Sequence, residues 1–207
     1  MTSATASGSR DPEPAPLLVL ASASPRRREL LGQIAVAHTA VAAQVDESVL
    51  PGESPAAYVL RVARAKALAL WRGAGAPALG ADTTVVLQGE LFGKPRDREQ
   101  ALAMLAALSG RTHEVLTAVV LAGAAGTFER LSVSRVRMRA TTAAERAAYW
   151  DTGEPRDKAG AYAIQGLGAV FIESLQGSYS GVMGLPLYET AQLLAAAGVP
   201  CWGGRGP

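Results

Sequence analysis

The sequence predicts an α/β domain, and three observations carry that prediction. Apolar runs of strand length alternate with helix-start signatures from residue 17 onwards. Each helix start is an N-cap residue followed by proline or by a capping acid or amide: Ser24-Pro25, Ser54-Pro55, Asp97 with Gln100, Thr142 with Glu145. Hydrophobic residues make up 49% of 207 residues, enough to build one domain or two small lobes.

Composition narrows the function classes. Twenty basic residues face 18 acidic ones, a net charge of +2, too balanced for a general nucleic-acid binder. The basic charge is local, which suits a small anionic ligand better than a long polyanion. Cys201 is the only cysteine, so the chain has no internal disulfide and no thiolate metal cluster. That points to a reducing compartment, and a cytoplasmic protein is the expectation. No apolar run approaches the ~20 residues that cross a bilayer. Residues 1–16, rich in Ser, Ala and Pro, are expected to be a disordered tail and not a secretory signal. Residues 17–200 are the expected domain, and 201–207 a frayed end. There is no internal repeat.

The first element is an apolar strand at residues 17–20. A tight turn leads into Ser24-Pro25-Arg26-Arg27-Arg28-Glu29-Leu30-Leu31, a helix start. Helix N-termini favour acids, yet three arginines stand here. A local rule broken this plainly calls for an anion, and free N–H groups with Arg26, Arg27 and Arg28 make a phosphate site. Residues 34–42 read as a strand containing His38, whose role is structural. Asp46 and Glu47 follow it, two adjacent carboxylates able to hold a metal.

A helix over residues 55–71 is amphipathic, with Tyr58, Val59, Val62, Ala63, Ala69 and Leu70 on one face. Lys66 falls on that face and must reach solvent or an anion. Arg61 and Arg64 lie opposite. Residues 78–87 read as an apolar strand interrupted by Asp82, between small residues and Thr83-Thr84. A buried carboxylate is costly unless paired or metal-bound, so Asp82 is the leading catalytic candidate. Gln88-Gly89 predicts a hairpin turn leading to Gly93-Lys94-Pro95. This is no P-loop, because the glycine spacing is short and proline replaces Ser/Thr. Lys94 still stands at a strand end where a point charge meets a phosphate.

A helix to Leu108, a strand over 111–121 with His113, a Gly/Ala turn, a strand over 128–139 and a helix to Trp150 complete the middle of the chain. Residues 153–168 form a glycine-rich polar loop without a dinucleotide fingerprint. A strand over 169–175, a flexible turn over 177–184 and a helix over 188–197 follow. The candidates are cations and paired carboxylates, with no Ser-His-Asp order and no zinc pattern. That set fits a metal-assisted hydrolase or binder of a small phosphate ester.

Several of these motifs together resemble the Maf family of nucleoside triphosphate pyrophosphatases. They are Ser22-Ala-Ser-Pro-Arg-Arg-Arg-Glu-Leu-Leu31, Gly80-Ala-Asp-Thr-Thr-Val-Val86, Gly93-Lys-Pro95, Leu108-Ser-Gly110, Asp157-Lys-Ala-Gly-Ala-Tyr162, Ile164-Gln-Gly-Leu-Gly168 and Gly184-Leu-Pro-Leu187. The resemblance implies a Maf/ITPase-like α/β fold: an elongated mixed sheet flanked by helices, two lobes and a substrate cleft, often in a homodimer. It implies hydrolysis between the α and β phosphates with a divalent cation, Mg²⁺ or Mn²⁺. By motif, Asp82 would activate water and Glu47 would assist Asp82 in holding metal. Ser22, Arg27, Lys66 and Lys94 would contact phosphates. Arg26, Thr83 and Gln165 would set specificity, and these three side with the branch acting on dTTP and UTP, a house-cleaning role in the nucleotide pool. Two alternatives stand beside it: the sister branch acting on 7-methyl-GTP, and a non-catalytic nucleotide-binding regulator of septum formation.

Overall fold

In the computed structural model, which describes residues 18–204, seven strands form one mixed sheet. The expected tail at 1–16 lies outside the described residues. Strand β1 (Val19–Ala21) runs parallel to β2 (Thr39–Val41) on one side and to β3 (Ala78–Leu87) on the other. Strands β5 (Thr112–Gly123) and β6 (Gly126–Met138) continue from β3 as an antiparallel meander, and β7 (Ile172–Gln176) closes the far edge. The short β4 (Glu90–Phe92) folds back on β3 through Gln88 and Gly89. Both turn residues have positive φ, +52° and +88°, the hairpin geometry that a glycine makes easy.

Side chains of β3 alternate between two cores. Gly80, Asp82 and Val86 face helix α2 (Pro55–Leu70), whose Val59, Ala63 and Ala67 pack with Val86, Leu116, Ala118 and Val120. Leu79 and Ala81 face the other way, into a core shared with α1 (Pro25–Gln33) and α6 (Leu187–Ala196). Further along the same face, Val85 and Leu87 join a separate core with α3 (Arg98–Leu108) and α4 (Ala143–Asp151). Helices therefore cover both faces, and two cores share one face. These are the two lobes.

The cleft between the lobes has a simple origin. One edge of β3 pairs with β1 through Ala78–Gly80 and with β4 through Val85–Leu87. The four residues between, 81–84, have no strand partner on that edge. Side chains from both faces of β3 can reach this gap.

Several sequence expectations change, one of them the strand expected over 169–175, which begins only at Ile172 after a 3₁₀ turn over Leu167–Phe171. The strand after α1 covers only Thr39–Val41, because the chain stays in the turn that ends the helix until Val36. On α2, Ala67 is buried and Ala69 is exposed. The segment at 177–184 is not a flexible turn: Ser178 caps a short helix α5 (Tyr179–Met183), its hydroxyl accepting from Gly181 N at 3.0 Å. Of the end expected to fray, residues 205–207 lie outside the described residues, and the part before them bonds back to the turn after α1. Trp202 N donates to Ile34 O at 2.8 Å and Gly203 N to Ala35 O at 2.9 Å. Among the described residues no helix is long and apolar enough to cross a membrane.

Gly80 is the tightest contact between α2 and the sheet. A Cβ there would stand 2.2 Å from Ala63 O and 2.6 Å from Ala67 N. Both are helix backbone and cannot rotate away. Gly80→Ala is expected to cost about 3 kcal/mol, read as a fall in Tm of roughly 10 °C by calorimetry. Gly32→Ala, inside α1 and with nothing within 4 Å, serves as the control and should not lower Tm.

Candidate active site

The site is assembled from four short segments around the gap in β3. From β1 the chain passes through Ser22 into α1, whose first turn holds no acid. Ser24 takes the cap position, but its own side chain caps nothing; Ser24 N donates to Ser22 Oγ at 3.2 Å instead. Arg27 turns inward and bonds through all three of its guanidinium nitrogens. Its Nε donates to Gly184 O at 2.8 Å, and its terminal nitrogens donate to Ser22 Oγ at 3.3 Å and Thr83 Oγ1 at 3.2 Å. Burial pulls the Arg27 guanidinium below its ordinary pKa, with Asp82 opposing. Thr117 on β5 supports Thr83: its Oγ1 lies 3.0 Å from Thr83 Oγ1 and donates to Gly181 O at 2.8 Å. Arg28 is exposed and lies outside the cleft, so the phosphate role expected for it is withdrawn. Its position on the helix turns it away from the sheet.

On the opposite face, Lys66 reaches from α2 to the gap. Its Nζ stands 2.8 Å from Asp82 Oδ1 and 2.8 Å from Glu47 Oε1. Burial raises the pKa of Asp82, while Lys66 and Arg27 counteract it. Glu47 sits on the loop after β2, and that loop is braced from α2. Tyr58 donates to Glu47 O at 3.1 Å, and Arg61 donates to both oxygens of Glu53 at 2.6 and 2.7 Å and to Ser48 O at 2.8 Å. The sequence offered no sign of this role for Arg61, which helical periodicity placed on a solvent face. The face it occupies is turned to the loop, not to the sheet.

The cleft has a volume of about 520 Å³. Ser22, Arg26, Arg27, Glu47, Lys66, Asp82, Thr83, Lys94 and Gln165 all line it, whereas Arg28 and the metal candidate Asp46 do not. Asp157 and Lys158 line it as well; the sequence marked their motif but gave them no role. Arg26 donates to Asp157 Oδ2 at 3.4 Å across the mouth, and Asp157 also pairs with Lys158. Five basic groups thus face three carboxylates, a surplus suited to a polyanion. His38 and His113 stay out of the lining, and His38 lies just before β2 rather than in it. His113 is buried, with Nε2 2.7 Å from Tyr162 OH, and burial lowers its pKa to about 4.

The donor set bears on a metal. Asp82 and Glu47 place two carboxylate oxygens on either side of one cation, the Lys66 ammonium. Hard oxygen donors of this kind suit Mg²⁺ or Mn²⁺. Among the described residues no group of three or more His, Cys, Asp or Glu gathers to hold a metal, here or elsewhere. Two carboxylates leave most of a coordination sphere to water and phosphate, as Mg²⁺ prefers.

Fold and cleft together define an α/β protein with a cleft of surplus positive charge at a gap in its sheet. The chain belongs to the Maf family: the model of the Maf-like proteins matches residues 17–197. A dTTP/UTP pyrophosphatase of Bordetella avium is 57% identical over 194 residues, covering 89% of this chain and 96% of that relative. A dTTP/UTP pyrophosphatase of Saccharophagus degradans is 52% identical over 195 residues, covering 92% and 93%. Both similarities therefore span both lobes and the cleft.

Removing the ammonium leaves a buried, unpaired carboxylate. Lys66→Met is expected to cost about 3 kcal/mol at neutral pH, and Lys66→Met with Asp82→Asn to recover more than half of it. The sign with pH follows from the raised pKa of Asp82. Protonated Asp82 contributes stability that is full below the ordinary value of 3.8 and lost as pH rises through its higher folded value. Without its ammonium Asp82 protonates at a still higher pH, so the Lys66→Met penalty should shrink as pH falls towards the intact protein's folded value and level off below it, read by urea denaturation across a pH series.

Proposed function

We propose that the chain is a nucleoside triphosphate pyrophosphatase acting on dTTP and UTP in the cytoplasm, releasing the monophosphate and pyrophosphate. The observation that carries this is the Lys66 ammonium held between Asp82 and Glu47 at a cleft lined by further cations. The names of the relatives supply the substrate class. Ser22, Arg27, Lys66 and Lys94 hold the β and γ phosphates, so that charge developing on the leaving pyrophosphate meets fixed cations. Asp82 accepts a proton from the attacking water. The water oxygen bonds to the α phosphorus as the bond from that phosphorus to the bridging oxygen breaks, and pyrophosphate departs. Asp82 is suited to this because burial lifts its basicity while Lys66 and Arg27 favour its charged form. Glu47 and Asp82 would hold a divalent cation. When bound, that ion neutralises phosphate charge. Arg26, Thr83 and Gln165 set specificity, and the Gln165 amide both donates and accepts, matching the imide edge of uracil or thymine.

A buried acid beside the phosphate site is costly for a protein that only binds, which favours an enzyme over a regulator. The test is pyrophosphate release with Mg²⁺ or Mn²⁺ across dTTP, UTP, CTP, GTP and 7-methyl-GTP. Expected are turnover of dTTP and UTP, a fall of about 10³-fold or more in Asp82→Asn with binding retained, and an acid limb in the rate above the usual carboxylate range. Gln165→Glu should move preference away from dTTP. Turnover confined to 7-methyl-GTP would refute the substrate assignment, and binding of every nucleotide without turnover would refute the enzyme.

A further inference from the structure

The segment that presents Gln165 is held at both ends by one pair of side chains. Tyr149 projects from α4 and packs edge-on against Phe171, with 5.1 Å between ring centroids. Its hydroxyl donates to Glu154 Oε1 at 2.7 Å and accepts from Ala163 N at 3.1 Å. The same carboxylate accepts from Leu167 N and Gly168 N, both at 2.9 Å. Backbone on either side of Ile164-Gln165-Gly166 therefore closes on one hydroxyl–carboxylate unit. Lys158, in the cleft wall, donates to Glu154 O at 3.2 Å and ties the unit to the cleft.

The glycines of this segment follow from the clamp. A Cβ at Gly166 would stand 2.4 Å from Glu154 Oε2, and its φ is +103°. A Cβ at Gly168 would stand 2.5 Å from Tyr149 OH. The Gln-Gly-Leu-Gly sequence is what lets the loop close onto these two atoms. Burial opposes the Glu154 carboxylate, but the Tyr149 hydroxyl and the two amides outweigh it and hold its pKa below the ordinary value. Glu154 therefore stays an acceptor. Burial, with the bond to Glu154, raises the pKa of Tyr149, which stays a donor.

We propose that Tyr149 and Glu154 are positioning residues for nucleobase recognition, fixing the 163–168 loop so that the Gln165 amide meets the base at a set place. This rests on the reading that Gln165 contacts the base. Gln165 itself is exposed at the loop tip. Without a fixed backbone, its ordering would offset the hydrogen bonds it makes on binding.

The test compares Tyr149→Phe, which keeps the ring against Phe171, with Glu154→Gln, which keeps the size and removes the charge. Gln165→Ala runs beside them. Both clamp variants should raise KM for dTTP about tenfold and change kcat by less than about threefold. Their preference for dTTP over CTP should narrow, and amide exchange at Ala163, Leu167 and Gly168 should quicken. A merely structural role would lower Tm and leave the preference intact, and that result overturns the proposal. If Gln165→Ala loses the preference while the folded clamp variants keep it, the clamp falls and the reading of Gln165 stands. If Gln165→Ala keeps it, the reading of Gln165 falls and takes the clamp with it. Should one clamp variant fail to fold, the other decides by the same criterion.

Discussion

The Lys66 ammonium is the interaction on which the site depends. With Arg27 it offsets the burial of Asp82 on β3, and among the described residues it alone bonds that carboxylate directly. An isolated charge at that depth would be costly, and the pair is tolerable only because the geometry is close on both sides. That geometry is inherited from the packing beneath it. Gly80, two residues before Asp82 and on the same face, brings the backbone of β3 against the backbone of α2. The approach sets how far the lysine must reach. Glu47 completes the arrangement from a loop braced by Tyr58 and Arg61, which extend from the same helix. One helix thus supplies the cation, the support for the second carboxylate and the close contact with the sheet.

The second constraint is the interrupted edge of β3. A continuous neighbour would have sealed residues 81–84 and separated the two faces of the sheet. Because β1 ends early and β4 starts late, Asp82 from one face and Thr83 from the other share a cavity. Helix α1 then brings Arg27 to Thr83, and the turn before α6 supplies Gly184 O as a further acceptor for the same guanidinium. Arg27 is therefore as much a brace between α1, β3 and the end of α5 as it is a charge for a ligand.

Much of this was legible in the chain. Lys66 stood out because a cation on an apolar helix face has few explanations, and Asp82 stood out in the same way on a strand. The arginine turn stood out against the helix dipole. Short-range rules also located the hairpin at Gln88-Gly89 and the Thr142 capping box. What stayed hidden depends on distance through space. Arg61 looked solvent-facing because periodicity reports the angle around a helix and not the loop that comes to cover it. Tyr149 and Glu154 carry no pattern of their own; only the glycines at 166 and 168 hinted that something stands close to the backbone. Arg28 misled because three adjacent arginines cannot all point the same way on a helix.

The end of the described chain has its own consequence. Leu18 and Val199 belong to one core, with Cys201 packed against it, and Trp202 and Gly203 bond back to Ile34 and Ala35. Ala35 holds a φ of +51°, a conformation that alanine keeps only when its surroundings enforce it. The first strand and the last turn therefore shield the same apolar surface. A protease that clipped the final helix away would uncover β1 as well, so both extremities belong to a single cooperative unit of opening.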